Sequence, residues 1–458
     1  MTAPTRAHRI VRGIARFDIA VSLTVLALFL FVLITSSERA QAMKIQSVKS
    51  PGGIEAWLVE DHSVPLMALK FAFEGGSSQD PVGKEGLANF ITGMMDEGAG
   101  DLTSSLFQER MEEIAMRMSF EDSKDYLYGS FETLTVNRDK AVELLRLAIG
   151  KPRFDADAVE RVRQQFLAGL VYADRDPEKR VSREWYASAF AGHPYARPAN
   201  GTKESISAIM GPDLEGYRRR VFARSNLKIA AVGDIDPTTL GKILDDVFGP
   251  LAEKAELAPV PNTKPVAGKQ TVIEMNVPQS VAMFGLGAMA RKDPDFIPAF
   301  VLNQILGGGG FASRLMEEVR EKRGLAYSVY SYLQPYKHTS ILAGGVATKN
   351  EAIGQSLDVI KGELKRMAEG GPTDTELANA KSYLVGSYAL RFDTNGKIGG
   401  QLLGIMTEDL GIDYVETRNK QVEAVTMADI KRVAARLLKS DDLIVTIIGK
   451  PTNLGGRG

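Results

Sequence analysis

Residues Gly86–Gly98, GLANFITGMMDEG, set the plan of the chain. Leu87, Phe90, Ile91, Met94 and Met95 recur at the spacing of one apolar helix face. The other face offers Asn89, Thr92 and Gly93. Taken alone, the stretch is an amphipathic helix. Upstream, Ile54–Val59 (IEAWLV) and Pro65–Phe73 (PLMALKFAF) read as strands, and a Gly-Gly-Ser-Ser turn leads on to the helix. The order returns later in the chain. Thr271–Met275 (TVIEM) and Ser280–Gly287 (SVAMFGLG) read as strands, followed by an Asp-Pro turn at Asp293–Pro294 and a helix over Phe296–Leu306. Each half closes on a comparable strand, Asn226–Gly233 and Asp442–Gly449.

Between these landmarks Ala141–Ile149, Asp155–Tyr172, Glu351–Ala368, Asp374–Leu390 and Met427–Leu438 carry helical apolar periodicity. Ala255–Gly268 (AELAPVPNTKPVAG) has three prolines and no period, so it reads as a linker. The expectation is an α+β protein of two similar domains, residues 43–254 and 269–458, each a sheet covered by helices. The repetition is consistent with duplication.

The 458 residues are too many for one ordinary domain, and a 44% hydrophobic, 25% charged composition is that of a globular chain. A formal net charge of −1, with no long basic stretch beyond the first residues, argues against nucleic acid as a partner. There is no cysteine, which removes disulfides and thiolate metal sites. Four histidines, His8, His62, His193 and His338, stand too far apart in sequence for helical pairing. Each reads as a surface or packing residue, so a self-sufficient zinc hydrolase is not expected and no cofactor is assigned to this chain.

The first 42 residues read as a targeting segment. Arg6, Arg9, Arg12 and Arg16 precede the apolar run Ile19–Ile34, and Ala40-Gln41-Ala42 suits cleavage. Removal of residues 1–42 takes away five arginines and two acids and moves the net charge from −1 to −4. The run is slightly long for a signal core and slightly short for a spanning helix. Cleavage is expected; an uncleaved anchor, the only link to a membrane, is the alternative. Either way the body is exported, which in a bacterium means the periplasm or the membrane face turned toward it.

Gly307–Gly310 invites comparison with a phosphate loop. Such a loop follows a strand and ends in Gly-Lys-Ser/Thr, whereas these glycines follow a helix and lead into Phe311-Ala312-Ser313-Arg314. A flexible turn is the better reading. By residue type alone, Arg320 is a solvated helix residue among Glu317, Glu318, Glu321 and Lys322, and Tyr327 a core filler.

Three stretches together resemble the pitrilysin/insulysin family of inverted-motif zinc peptidases. They are Val301–Ser331 (VLNQILGGGGFASRLMEEVREKRGLAYSVYS), the approach Gly75–Gly86 (GGSSQDPVGKEG), and HPY at His193–Tyr195. The likeness runs over essentially all of Met43–Pro451. It implies two homologous domains, each a mainly antiparallel sheet covered by helices, together forming half of a clamshell. The family's zinc helix carries His-x-x-Glu-His, two imidazoles one turn apart plus a carboxylate base. Here those five slots are Asn89-Phe90-Ile91-Thr92-Gly93. The third ligand, a glutamate about 75 residues further on, falls at Ala168-Gly169. All ligand and base slots are therefore apolar or poorly coordinating.

An arginine and a tyrosine at the spacing of Arg320 and Tyr327 reach, in the family, from the second half of the molecule to the zinc site. There they bind substrate backbone and steady the oxyanion. The resemblance thus implies a non-catalytic subunit of a heteromeric zinc endopeptidase, inactive alone. Its partner would be an exported homologue with an intact His-x-x-Glu-His helix that holds the zinc, and its substrates peptides or unfolded segments. The alternatives are a peptide-binding or chaperone-like module, or a structural subunit with no part in catalysis.

Overall fold

The computed structural model describes residues 43–452 and 454, so the targeting segment lies outside the described residues. Eleven strands form two sheets. They are β1 (Gln46–Lys49), β2 (Glu55–Glu60), β3 (Leu66–Glu74), β4 (Arg117–Asp122), β5 (Tyr126–Leu134), β6 (Leu227–Gly233), β7 (Gln270–Glu274), β8 (Gln279–Gly287), β9 (Ser328–Pro335), β10 (Ser340–Lys349) and β11 (Ile444–Gly449). The first sheet runs β1-β2-β6-β3-β5-β4 and the second β7-β11-β8-β10-β9. Without β1, the two orders are the same permutation. In each sheet one pair is parallel, β2 with β6 and β7 with β11, and every other pair is antiparallel. Two mainly antiparallel sheets with one connectivity make the internal repetition structural.

The apolar runs occupy the middle strands because those are covered on both faces. In β3 only Lys70 breaks the inner run, and its ammonium is met by Ser130 and, at 3.3 Å, by Glu132 of β5. One face of the first sheet carries the helices Leu87–Thr92, Arg138–Gly150 and Pro237–Phe248. The matching face of the second carries Phe296–Asn303, Ile353–Gly370 and Met427–Leu437.

The opposite faces are covered by exchange. The helix Pro177–Ala189, from the first half of the chain, lies on the second sheet. Its Trp185 is fully buried with Val181, Ile341, Ala343, Ile444 and Ile448, and its indole N–H donates to the Ile444 carbonyl at 3.3 Å. A Cβ on Gly285 would lie 2.5 Å from that indole, so glycine there admits the ring. In return, Asn395–Thr407 packs on the first sheet, where a Cβ on Gly399 would touch Lys70 and Val232. Packing therefore crosses the sequence boundary between halves, while 255–266 runs without regular structure. Among the described residues no helix is long and apolar enough to cross a membrane.

The helices predicted from periodicity form, with shifted ends. Phe296–Asn303 passes into a π-helix, Gln304–Gly308, and Asp374–Gly386 stops before a separate 3-10 turn. The helix expected over Gly86–Gly98 is α-helical only over Leu87–Thr92. From there the N–H groups of Gly93, Met94 and Glu97 bond three residues back, so the backbone tightens into turns. The apolar face survives that change: Leu87, Phe90, Ile91, Met94 and Met95 are all buried.

Candidate functional site

The residues in the would-be metal slots are spent on local structure. Asn89 donates its amide to Asp122 Oδ1 at 2.8 Å, tying the helix to edge strand β4. Thr92 turns its hydroxyl back to the Asn89 carbonyl at 2.7 Å. Gly93 faces the helix Ala156–Arg175, where a Cβ would lie 3.2 Å from the Phe166 ring and 3.5 Å from Val162. Phe166 also packs on Phe90, ring centroids 5.2 Å apart. The structure thus brings Gly93 against Phe166, while Ala168 and Gly169 on the same helix are exposed and Gly169 has open space beside it. Among the described residues no three His, Asp or Glu side chains converge as a metal site.

Beneath this helix lies a buried polar layer. Asp80, 3% exposed, accepts the N–H groups of Gly86 (2.8 Å) and Ala88 (2.9 Å), and so caps the helix from a distance in sequence. Burial pushes its carboxyl up to about 8, against the pull of those two N–H groups. Burial likewise brings the Lys124 ammonium down to about 8 and raises Asp122. Arg197 donates to the carbonyls of Asp80 and Ser78 and locks the approach loop. His193 accepts the Tyr195 N–H and its other nitrogen meets the Pro261 carbonyl at 2.8 Å, so the HPY stretch ties the linker down.

The second half is arranged differently. Arg320 lies on a π-helix, Met316–Glu321, and Tyr327 immediately precedes β9. The Arg320 guanidinium carbon is 4.7 Å from the centroid of Tyr327 and 4.7 Å from that of Phe311. Such contacts contribute about 0.5–1 kcal/mol each at exposed sites. Tyr327 is 80% exposed and Phe311 71%, so Tyr327 is not a core filler. The Arg320 side chain keeps 26% of its surface, and its nearest carboxylate is Glu321 at 3.5 Å. Among the described residues, neither the guanidinium nor the Tyr327 hydroxyl makes a hydrogen bond. The partly buried guanidinium, with Glu321 beside its Nε, and the exposed Tyr327 hydroxyl therefore stand together, held by ring contacts.

Three participants escaped the sequence reading. Phe311 was passed over inside the Gly-rich stretch, although a large apolar residue after four glycines is a visible signal. Phe166 is an ordinary helix residue whose role depends on a partner 73 positions away in the chain. Asp80 shows nothing in sequence beyond a turn-forming Asp-Pro pair.

Two sheets of one connectivity, with a helix beside each central strand, non-coordinating residues in the slots that the resemblance assigns to a metal, and an arginine–tyrosine pair in the second half agree with the resemblance to zinc peptidases. Family models agree. Residues 57–203 match the insulinase domain of peptidase family M16, and residues 210–384 match the peptidase M16 inactive domain. A crystal structure of the peptidase M16 inactive domain from Pseudomonas fluorescens is similar at TM-score 0.84 and 30% identity, covering 90% of this chain and 98% of that one. The non-peptidase homolog YmxG of Helicobacter pylori is 29% identical over 392 residues, 85% of this chain and 90% of that protein. An uncharacterized zinc protease of Mycobacterium tuberculosis is 27% identical over 407 residues, 88% and 92% of the two chains. The chain belongs to the M16 (insulinase) peptidase family.

Proposed function

We propose that this chain is the non-catalytic subunit of a two-chain zinc endopeptidase of the periplasm. It supplies Arg320 and Tyr327 to a homologous subunit that carries an intact His-x-x-Glu-His helix and the zinc. A zinc ion held by that partner would supply the activated water for attack. Arg320 binds the carbonyls of an extended peptide through its planar fork, and the Tyr327 hydroxyl donates to the oxygen that becomes negative as water adds. The substrates are peptides or unfolded segments small enough for an enclosed chamber.

One observation carries this reading. The polar side chains in the metal slots are consumed inside the fold, whereas, among the described residues, Arg320 and Tyr327 make no side-chain hydrogen bond and Tyr327 is exposed. A purely structural subunit has no use for such a pair beside the exposed rings of Tyr327 and Phe311. The test is co-expression with a His-x-x-Glu-His homologue from the same genome. Chelator-sensitive cleavage of a short peptide, present only when both chains are in one complex, is the expected result. Full activity of the partner alone, or sustained proteolysis by this chain alone, would overturn the proposal.

A further inference from the structure

Phe311 is a large apolar residue left at the surface. It sits in a one-turn 3-10 segment, Gly310–Ala312, and is 71% exposed. The turn is fixed downstream. Ser313 is fully buried and its hydroxyl donates to the Gly310 carbonyl at 2.7 Å. Arg314 grips both oxygens of Glu376, at 2.5 and 2.8 Å, and so pins the chain to the helix Asp374–Gly386. Upstream, Gly310 adopts φ +58°, a left-handed conformation that suits glycine, at the end of four successive glycines. The ring stands at the surface, 4.7 Å from the Arg320 guanidinium carbon.

Arg320 needs such a neighbour. No hydrogen bond holds its long side chain, and Glu317, Glu318 and Glu321 lie on the same helical segment, Glu321 already at 3.5 Å. Left free, the guanidinium would share its time with those carboxylates. We propose that Phe311 is a positioning residue: its ring holds Arg320 against Tyr327 and limits its pairing to the 3.5 Å approach of Glu321 on Nε, with the terminal nitrogens open to a peptide. This rests on the reading of Arg320 as a peptide-backbone donor. Because the apparent affinity of a site falls by the fraction of time it is competent, loss of the ring acts on KM more than on kcat.

The experiment compares wild type with Phe311→Ala and Phe311→Tyr in the full chain and in the two-chain complex. In the full chain, the Arg320 Nε–H signal is followed by NMR on arginine-labelled protein and assigned by its loss in Arg320→Lys. Phe311→Ala should release it to fast motion and Phe311→Tyr should keep it ordered. In the complex, Phe311→Ala should raise KM for a short peptide about tenfold with kcat within about twofold, and Phe311→Tyr should restore wild-type values. An Arg320 equally ordered in Phe311→Ala overturns the inference. So does a mobile Arg320 with unchanged KM while Arg320→Lys is impaired. If Arg320→Lys is also unimpaired, the peptide-donor role of Arg320 has failed, and the positioning role falls with it.

Discussion

The helix Leu87–Thr92 of the first half and the segment Gly307–Tyr327 of the second, which follows that helix's counterpart Phe296–Asn303, carry the two candidate sites, and their polar groups have met different fates. In the first half Asn89 bonds to Asp122, Thr92 bonds to its own helix, and Gly93 meets an aromatic ring. In the second, an exposed Tyr327 and a partly buried Arg320 lie against one another, with no side-chain hydrogen bond to either among the described residues and Glu321 3.5 Å from the Arg320 Nε. Two copies of one scaffold thus treat the polar groups of their candidate sites in two ways. The first site is absorbed into packing; the second keeps exposed aromatic surface that stability alone does not call for.

That contrast depends on both halves being held by the exchanged helices. The largest effect is therefore expected at Trp185. Trp185→Ala empties a fully buried indole site between the halves and should cost about 3–5 kcal/mol in equilibrium denaturation. A loss below about 1 kcal/mol would show that the exchange does not secure the scaffold.

Next comes the closed first site. Gly93→His places an imidazole against Phe166, and overpacking of this kind costs about 1–3 kcal/mol. The triple change Asn89→His, Thr92→Glu, Gly93→His should bind zinc weakly at best, because missing outer groups alone cost about 10–100-fold in metal affinity. Stoichiometric zinc surviving gel filtration of that variant would show that the site is only dormant. Asp80→Ala removes the acceptor for the N–H groups of Gly86 and Ala88 and should destabilise by about 1–2 kcal/mol, read from thermal unfolding.

The smallest effect sharpens the second site. Partial burial raises the Glu376 pKa, but the Arg314 fork and the Thr373 N–H and hydroxyl outweigh it and hold the carboxyl down at about 2, below the ordinary glutamate value of 4.5. A carboxylate whose folded pKa is depressed contributes stability above its unfolded pKa and loses it as pH falls toward the folded one. The stability difference between wild type and Glu376→Gln should therefore be full near about pH 6 and shrink between about pH 4.5 and 2. A difference that stays constant through that window would mean the Arg314–Glu376 pair does not anchor the Phe311 turn electrostatically.

Much of this was legible in the residues. Strand runs such as Leu66–Glu74 and Gln279–Gly287, and helices such as Ile353–Gly370, follow from local patterning alone. Strands β1, β4, β5, β9 and β10 do not stand out in the sequence. RMSFED alternates too weakly, and the Gly-Gly pair in the middle of β10 interrupts its apolar run. The helix exchange was invisible because Trp185 looks the same in sequence whichever sheet it covers. At the site, the spacing of Arg320 and Tyr327 could be read along the chain, but their partner Phe311 and the obstacle Phe166 arise only from tertiary contact. The short helix Leu87–Thr92 shows the limit of periodicity: the apolar stripe continues through Met95 although the α-helical hydrogen bonds do not.

The central claim is that Tyr327 acts on a peptide bound at a zinc held in another chain, and one substitution tests it most directly. Tyr327→Phe keeps the ring beside Arg320 and deletes only a hydroxyl that has no partner in the fold, so folding stability and complex formation should be unchanged. Steady-state cleavage of a short peptide by the two-chain complex should then show kcat lowered by about 10²–10³, or roughly 2.7–4 kcal/mol of transition-state stabilisation. A kcat close to wild type in an intact complex would contradict the account and leave this chain a binding or structural subunit.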